Sequence, residues 1–192
     1  MFTGIVEELG RVKDLSRQGR TVLLTVEAQK VIADARIGDS ISVNGCCLTV
    51  VSKDETSLSF EMMAETSRVS DLGGLRISDK VNLERSLKAG DRISGHFVLG
   101  HVDCRGTIRR KSYSRDNLAF VIAVPASFLK YVLLKGSISV DGISLTIADK
   151  VSNTFSVYII PHTLKNTTLG FKGPSDMVNI EFDILSKSAK PS

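Results

Sequence analysis

At 192 residues, with 42% hydrophobic and 24% charged side chains, the chain has an ordinary globular composition, which excludes a disordered or fibrous protein. The net charge of +4 is carried by interleaved bases and acids; no basic face with aromatic platforms stands out, and no apolar run is long enough to span a membrane. Three cysteines, two of them adjacent, make no disulfide framework and point to a reducing, cytoplasmic setting.

The opening stretch MFTGIVEELG carries two acids and no basic residue, so it does not read as a secretory signal. A short helix is predicted over Ala28–Ala35. Apolar and polar residues then alternate through Ser40–Val50 (SISVNGCCLTV), Ser57–Met62 and Val81–Glu84, the period of half-buried strands. Between the last two, Thr66 reads as the N-cap of a second short helix that stops at Gly73. The stretch Lys88–Gly95, with Gly and Asp, marks a junction. Beyond it, Pro125 suits the first turn of a helix through ASFLKYVLL. Ser137–Ile147 (SISVDGISLTI) and Phe155–Ile159 alternate as strands, and Thr163 reads as the cap of a helix ending at Gly170. The only locally basic segments are Arg109-Arg110-Lys111 and the tail SKSAKPS.

Several of these elements occur twice. SISVNGCCLTV and SISVDGISLTI agree at seven of eleven positions. Thr66–Gly73 realigns with Thr163–Gly170 and Asp79–Glu84 with Asp176–Glu181, all at one spacing of 97 residues, while Gly4–Glu7 realigns with Gly100–Asp103 one residue out of step. Ordered matches along a whole half are the mark of an internal duplication. The expected fold is all-β with a few short helices: two tandem six-stranded Greek-key barrels, residues 1–96 and 97–192. Each half is long enough for its own core.

No Gly-rich phosphate loop, nucleophile elbow or H-E-x-x-H stands in the sequence. A zinc site drawn from Cys46, Cys47, Cys104, His96 and His101 lacks a C-x-x-C spacing, and adjacent strand cysteines point to opposite faces. What remains are hydroxyls, amides and a thiol at matched positions: Cys47 with Ser144, Thr49 with Thr146, Thr66 with Thr163, and Asn44 with Asp141. Cys47 reads either as a small core residue or as a thiol with a task, since it shares a strand face with Thr49. His101 stands where the first copy has Ile5, and Asp183 where it has Ser86.

Taken together, MFTGIVEELG, NGCCLTV, SGHFVLGHVD, DGISLTI and IIPHTL resemble the riboflavin synthases, the two-domain lumazine-binding family, over the chain to about Asp183. The resemblance implies a dismutation without metal or redox cofactor, in which one 6,7-dimethyl-8-ribityllumazine passes four carbons to a second. The products are riboflavin and 5-amino-6-ribitylamino-uracil. It implies activity at Ser40, Cys47, His101, Ser144, Thr146 and Asp183. A first pocket would use Gly4, Ile5, Val6, Cys47, Leu48, Thr49, and Glu61, Met62, Met63, Ala64, Glu65 and Thr66. A second would use Gly100, His101, Val102, Lys135, Ser144, Leu145, Thr146, and Ile159, Ile160, Pro161, His162 and Thr163. His101, Ser144 and Thr146 are expected to act together in proton transfer at one lumazine, with Cys47 and Ser40 at the other.

In the family the chain runs on into a long helix that helps to assemble a homotrimer, with the active site between subunits. Here ILSKSAKPS alone follows Asp183, so a weaker trimer is expected. Association with a lumazine synthase also follows from the resemblance, and neither nucleic acid nor membrane is expected as a partner. Two rival readings are a non-catalytic lumazine- or flavin-binding antenna protein, and a flavin reductase on a similar barrel. The second needs a nicotinamide-binding domain for which neither half has room.

Overall fold

The structure, a computed structural model, describes residues 1–19, 21–114 and 117–188. Six antiparallel strands form the first barrel: β1 Glu8–Gln18, β2 Thr21–Glu27, β3 Ser40–Val43, β4 Cys46–Lys53, β5 Ser57–Met63 and β6 Lys80–Arg85. Helix α1, Ala64–Val69, lies between the last two. The second barrel repeats this plan with β7 Cys104–Ser114, β8 Asn117–Ala123, β9 Ser137–Val140, β10 Ile143–Val151, β11 Thr154–Ile159 and β12 Met177–Phe182. Helix α2, Pro161–Asn166, occupies the place of α1, and α3, Ile184–Ser188, follows β12. Both barrels close in the same order, β1-β2-β5-β4-β3-β6 and β7-β8-β11-β10-β9-β12, so the duplication expected from the repeats is a duplication of topology.

Closure has a matched physical device in each copy. The pairing register slips once between Val12 and Asp14 in β1 and between Ile108 and Arg110 in β7. It slips again between Val50 and Ser52 in β4 and between Ile147 and Asp149 in β10. Such bulges bend and twist a strand, which lets a short sheet curl onto itself. Inward positions then fill each barrel with its own core, around Leu24, Phe60 and Leu83 in the first and Phe120, Ile138 and Ile180 in the second.

Ser40–Val50 and Ser137–Ile147, expected as single strands, are hairpins. Asn44-Gly45 and Asp141-Gly142 take positive φ at both positions (46° and 81°; 49° and 77°), the signature of a two-residue type I′ turn. The helix starts also differ from expectation. Thr66 and Thr163 lie inside α1 and α2, whose N-caps are Met63 and Ile160; Pro161 supplies the first turn of α2. Gly73 and Gly170 fall in short 3-10 turns after each helix. The stretch after Pro125 is a 3-10 turn over Ala126–Tyr131, and Ala28–Ala35 holds turns rather than a helix. Side chains take over the backbone groups there: Glu8 accepts from the N–H of Gln29, Lys30 and Val31, and Lys53 donates to the carbonyls of Ile32 and Ala35. The end of the expected polar tail, 189–192, lies outside the described residues.

The barrels meet about a local twofold. Phe2 and Val98, both fully buried, exchange backbone hydrogen bonds (2.7 and 3.1 Å). The hairpin turns touch so closely that a Cβ on Gly45 would stand 2.7 Å from the Gly142 nitrogen. Asn82 donates to the Asp141 carbonyl, and its counterpart Asn179 donates to the Asn44 carbonyl, each at 2.8 Å. The reciprocity is that of a self-complementary interface, made here within one chain.

Candidate functional site

The residues leading into each barrel cross over to the other. Before β1, the Gly4 carbonyl accepts from the Ser144 N–H of β10 at 2.8 Å; before β7, the Gly100 carbonyl accepts from the Cys47 N–H of β4 at 2.9 Å. Both glycines have positive φ (77° and 82°), and a Cβ on either would stand well inside contact distance of Ser144 Cβ (2.6 Å) or Cys47 Cβ (2.5 Å). Only glycine permits this approach. Val6 accordingly packs on the second core and Val102 on the first.

The crossing corrects the grouping expected above. Gly4, Ile5 and Val6 lie with Ser144, and Gly100, His101 and Val102 lie with Cys47. His101, expected beside Ser144 and Thr146, adjoins the Cys47 side within this chain, with its N–H on Glu181 at 3.0 Å. The physical reason is that each leading segment is held by the last strand of its own barrel while its carbonyl serves the other.

Around Ser144 the second barrel has a cavity of about 310 Å³, lined by Ser144, Leu145, Thr146, Ala148, Tyr158, Ile160 and Thr163. That is near the lower end of the ~300–1,000 Å³ typical of small-molecule sites. Five of the expected residues meet there. Lys135 sits at the turn before β9; its N–H bonds to the Ile147 carbonyl, next to Ala148. Pro161 and His162 are exposed at the start of α2. On the first barrel the matching face of the hairpin carries Cys47, half-buried, and Thr49, exposed, opposite Ser42 and Ser40 in register. Glu61, Met63 and Ala64 are exposed around it, Thr66 is half-buried, and Glu65 is paired with Arg68 at 2.6 Å. Leu48, Met62 and Ile159 point the other way: strand alternation puts their side chains in the barrel cores, at 4%, 1% and 4% exposure.

One residue with a role in this geometry was not singled out by the sequence as a partner of Ser144. His96, buried, places Nδ1 2.7 Å from Ser144 Oγ. Burial lowers its pKa below the ordinary 6.5, opposed only partly by the Asp183 carboxylate, and so favours the neutral ring. Among the described residues its Nε2 is the buried side-chain nitrogen without a hydrogen-bond partner in the chain. Asp183 itself caps α3 through the Leu185 N–H. Ser144 and His96 are thus brought together from two parts of the chain, with the Asp183 charge acting on the imidazole. A neutral imidazole on a hydroxyl can move a proton to or from a molecule in the cavity. No local pattern could have paired His96 with Ser144, because the two stand 48 residues apart and meet only where the copies join.

Cys46 differs from its neighbour in the way expected of adjacent strand positions. It is buried, and burial raises its thiol pKa far above the ordinary value, so it is inert. Burial also raises Cys104, to about 12. Among the described residues no three of His, Cys, Asp and Glu converge as metal ligands, and no helix is long and apolar enough to cross a membrane.

The lumazine binding domain matches this chain twice, over residues 3–86 and 99–183. The riboflavin synthase of Actinobacillus pleuropneumoniae is 42% identical over 187 residues, covering 97% of this chain and 87% of that protein. The riboflavin synthase of Mycobacterium bovis is 44% identical over 191 residues, covering 97% and 95%. Among solved structures, LumP complexed with riboflavin superposes with a TM-score of 0.88 at 24% identity, over 95% of this chain and 99% of that one. LumP complexed with 6,7-dimethyl-8-(1'-D-ribityl) lumazine gives 0.85 at 23%. At that identity the likeness is one of fold.

Proposed function

The chain belongs to the lumazine binding domain family and, within it, to the riboflavin synthases; from that premise we propose that it catalyses the dismutation of 6,7-dimethyl-8-ribityllumazine. One molecule gives up a four-carbon unit to a second, yielding riboflavin and 5-amino-6-ribitylamino-uracil. The observation that carries this is identity above 40% to riboflavin synthases over 97% of the chain. An antenna protein is the poorer reading, because the curated relatives at this identity are synthases.

The proposed chemistry divides between the two faces. The reaction needs two copies of one ligand in different roles, and the duplicated barrel supplies two related faces. At the second, Ser144 and Thr146 meet the ring edge, and His96 takes a proton through Ser144 as the C7 methyl of one lumazine is deprotonated. Asp183 favours the charge that His96 then acquires. At the first, Cys47, Ser40 and Thr49, with His101 beside them, orient and activate the other molecule. Ribityl hydroxyls must be paired when buried, which suits these hydroxyls and the exposed backbone at strand ends. Holding two rings in contact supplies a further share of the rate.

The domains are taken as 1–96 and 97–192. The working form is taken as a cytoplasmic homotrimer that brings the first face of one subunit to the second face of another, with a lumazine synthase as an associate. Exposed Met63, Tyr158 and Ile160 beside the two faces support a cover from a neighbouring subunit. The test is to incubate the purified protein with 6,7-dimethyl-8-ribityllumazine alone, over a range of protein concentration. Riboflavin and the aminouracil in equal amounts establish the synthase, and specific activity rising with concentration shows that assembly completes the site. Tight binding without turnover at any concentration would overturn the reading.

A further inference from the structure

Two buried carboxylates, matched in the repeat, have no part in the chemistry above. Glu84 on β6 and Glu181 on β12 are 5% and 3% exposed. Neither meets a cation at salt-bridge distance among the described residues. Each instead faces a run of backbone N–H groups. Glu84 accepts from Thr3 N–H (2.7 Å), Thr3 Oγ1 (2.8 Å) and Gly4 N–H (3.0 Å). Glu181 accepts from Leu99, Gly100 and His101 N–H (2.6, 2.9 and 3.0 Å). Successive N–H groups that converge around a residue of positive φ form an anion-binding concavity, and here the anion is the protein's own side chain. A carboxylate suits it because both oxygens only accept; an amide would turn an NH₂ toward one of the donors. Burial raises the pKa of both groups, and the backbone donors oppose that rise.

What each carboxylate holds is the segment that crosses to the other barrel. Glu181 fixes Gly100, whose carbonyl takes the Cys47 N–H; Glu84 fixes Gly4, whose carbonyl takes the Ser144 N–H. We propose that Glu84 and Glu181 are positioning residues that act crosswise: the glutamate of the second barrel sets the ligand face of the first, and that of the first barrel sets the face of the second. Neither barrel carries a complete face of its own, and the two faces are tied together through these clamps. The inference rests on reading those faces as the ligand sites.

The test uses the full chain labelled with ¹⁵N and titrated with riboflavin, with the Cys47 and Ser144 amides as separate reporters of the two faces. Glu181→Gln is expected to raise the Kd read at Cys47 by about tenfold or more and to leave that read at Ser144 within about twofold; Glu84→Gln is expected to do the reverse. Weakening confined to the glutamate's own barrel, equal weakening at both, or no change at either overturns the proposal. A simply structural role would give one of those patterns. If riboflavin moves neither reporter in the unmodified chain, the reading of the faces fails, and the clamps are judged by amide hydrogen exchange instead. Glu181→Gln should then speed exchange at Cys47 about tenfold and not at Ser144, and exchange that rises at Ser144 alone or not at all sinks the idea. Should either glutamine variant not fold, the aspartate variant, which keeps the charge with a shorter reach, is measured in the same two ways.

Discussion

The two barrels share a backbone plan down to the position of their bulges, yet they differ at the points where they could do something. Beside the Gly100 carbonyl the first has Cys47; beside the Gly4 carbonyl the second has Ser144, whose hydroxyl has the His96 imidazole on it. At their mutual interface the first contributes Asn44 and Leu75, where the second contributes Asp141 and Lys172. Lys172 bridges Asp71 at 2.8 Å and the fully buried Asp141 at 2.6 Å. Duplication thus preserved the hydrogen-bonded frame, which tolerates little change, and let single side chains diverge at matched places. A reaction that takes two copies of one molecule in unequal roles requires both properties.

The largest expected effect comes from making the interface symmetric by force. Burial opposes the charge of Lys172, but the Asp141 and Asp71 carboxylates win and hold its pKa above the ordinary value. Lys172→Leu, which copies Leu75, strands Asp141 without its cation and should cost about 3–5 kcal/mol in urea unfolding. Adding Asp141→Asn should recover most of that loss. The amide oxygen can accept from the Asn179 N–H as Asn44 accepts from Asn82, both at 2.8 Å. If the double variant is no better than the single, the buried pair is more than a substituted version of the first copy's neutral contact.

Next comes the chemistry. Ser144→Ala should lower kcat by about 10²–10⁴-fold, the usual worth of a proton-transfer group, with riboflavin affinity changed only a few-fold. Cys47→Ser should also lose most of its turnover while still binding. Unchanged turnover would return Cys47 to a packing role. The pH profile separates the two faces. The folded pKa of His96 lies below the ordinary 6.5, so the unfolded chain takes up its proton first as pH falls. The stability this group contributes is therefore present above 6.5 and lost as pH falls toward the folded value. Turnover that needs the neutral ring should fall on the acid side with a midpoint below 6.5, and a midpoint above it would exclude His96 as the base.

How much of this was legible in the sequence can be said residue by residue. The 97-residue repeat and the strand alternation led to two six-stranded barrels because both are properties of one copy read along the chain. The hairpin turn is written in the order of the buried residues. Ile41 and Val43 are buried at odd positions, Cys46, Leu48 and Val50 at even ones, and that change of parity occurs at Asn44-Gly45. A strand without a bulge cannot make it. The crossing of Gly4 and Gly100 was not legible, since a leading segment has the same pattern whether it serves its own barrel or its twin. The role of His96 was hidden for the same reason: its partner Ser144 is reached only across that junction.

Of intermediate size are the two crossing glycines. Gly4→Ala and Gly100→Ala meet both a positive φ and a neighbour inside contact distance, so each should cost about 1–3 kcal/mol and disturb the face it crosses to. Urea titration together with riboflavin binding checks this, and a Gly4→Ala protein of unchanged stability would mean that the segment can move off Ser144.

The smallest effect concerns a position where the copies hold different residues in the same left-handed turn. The first has Gly38 at φ 95°, with open space around a would-be Cβ; the second has Lys135 at φ 63°. A side chain in that region costs roughly 1–2 kcal/mol, while replacing it by glycine gives back about 0.4–1 kcal/mol through the freer unfolded chain. Lys135→Gly should therefore stabilise the protein by about 0.5–1 kcal/mol, and Gly38→Ala should destabilise it by about 1 kcal/mol. Strain kept in only one copy has a use there if the stabilised Lys135→Gly protein turns over more slowly. With turnover unchanged, the lysine is a tolerated substitution, and the difference between the faces narrows to Cys47, Ser144 and His96.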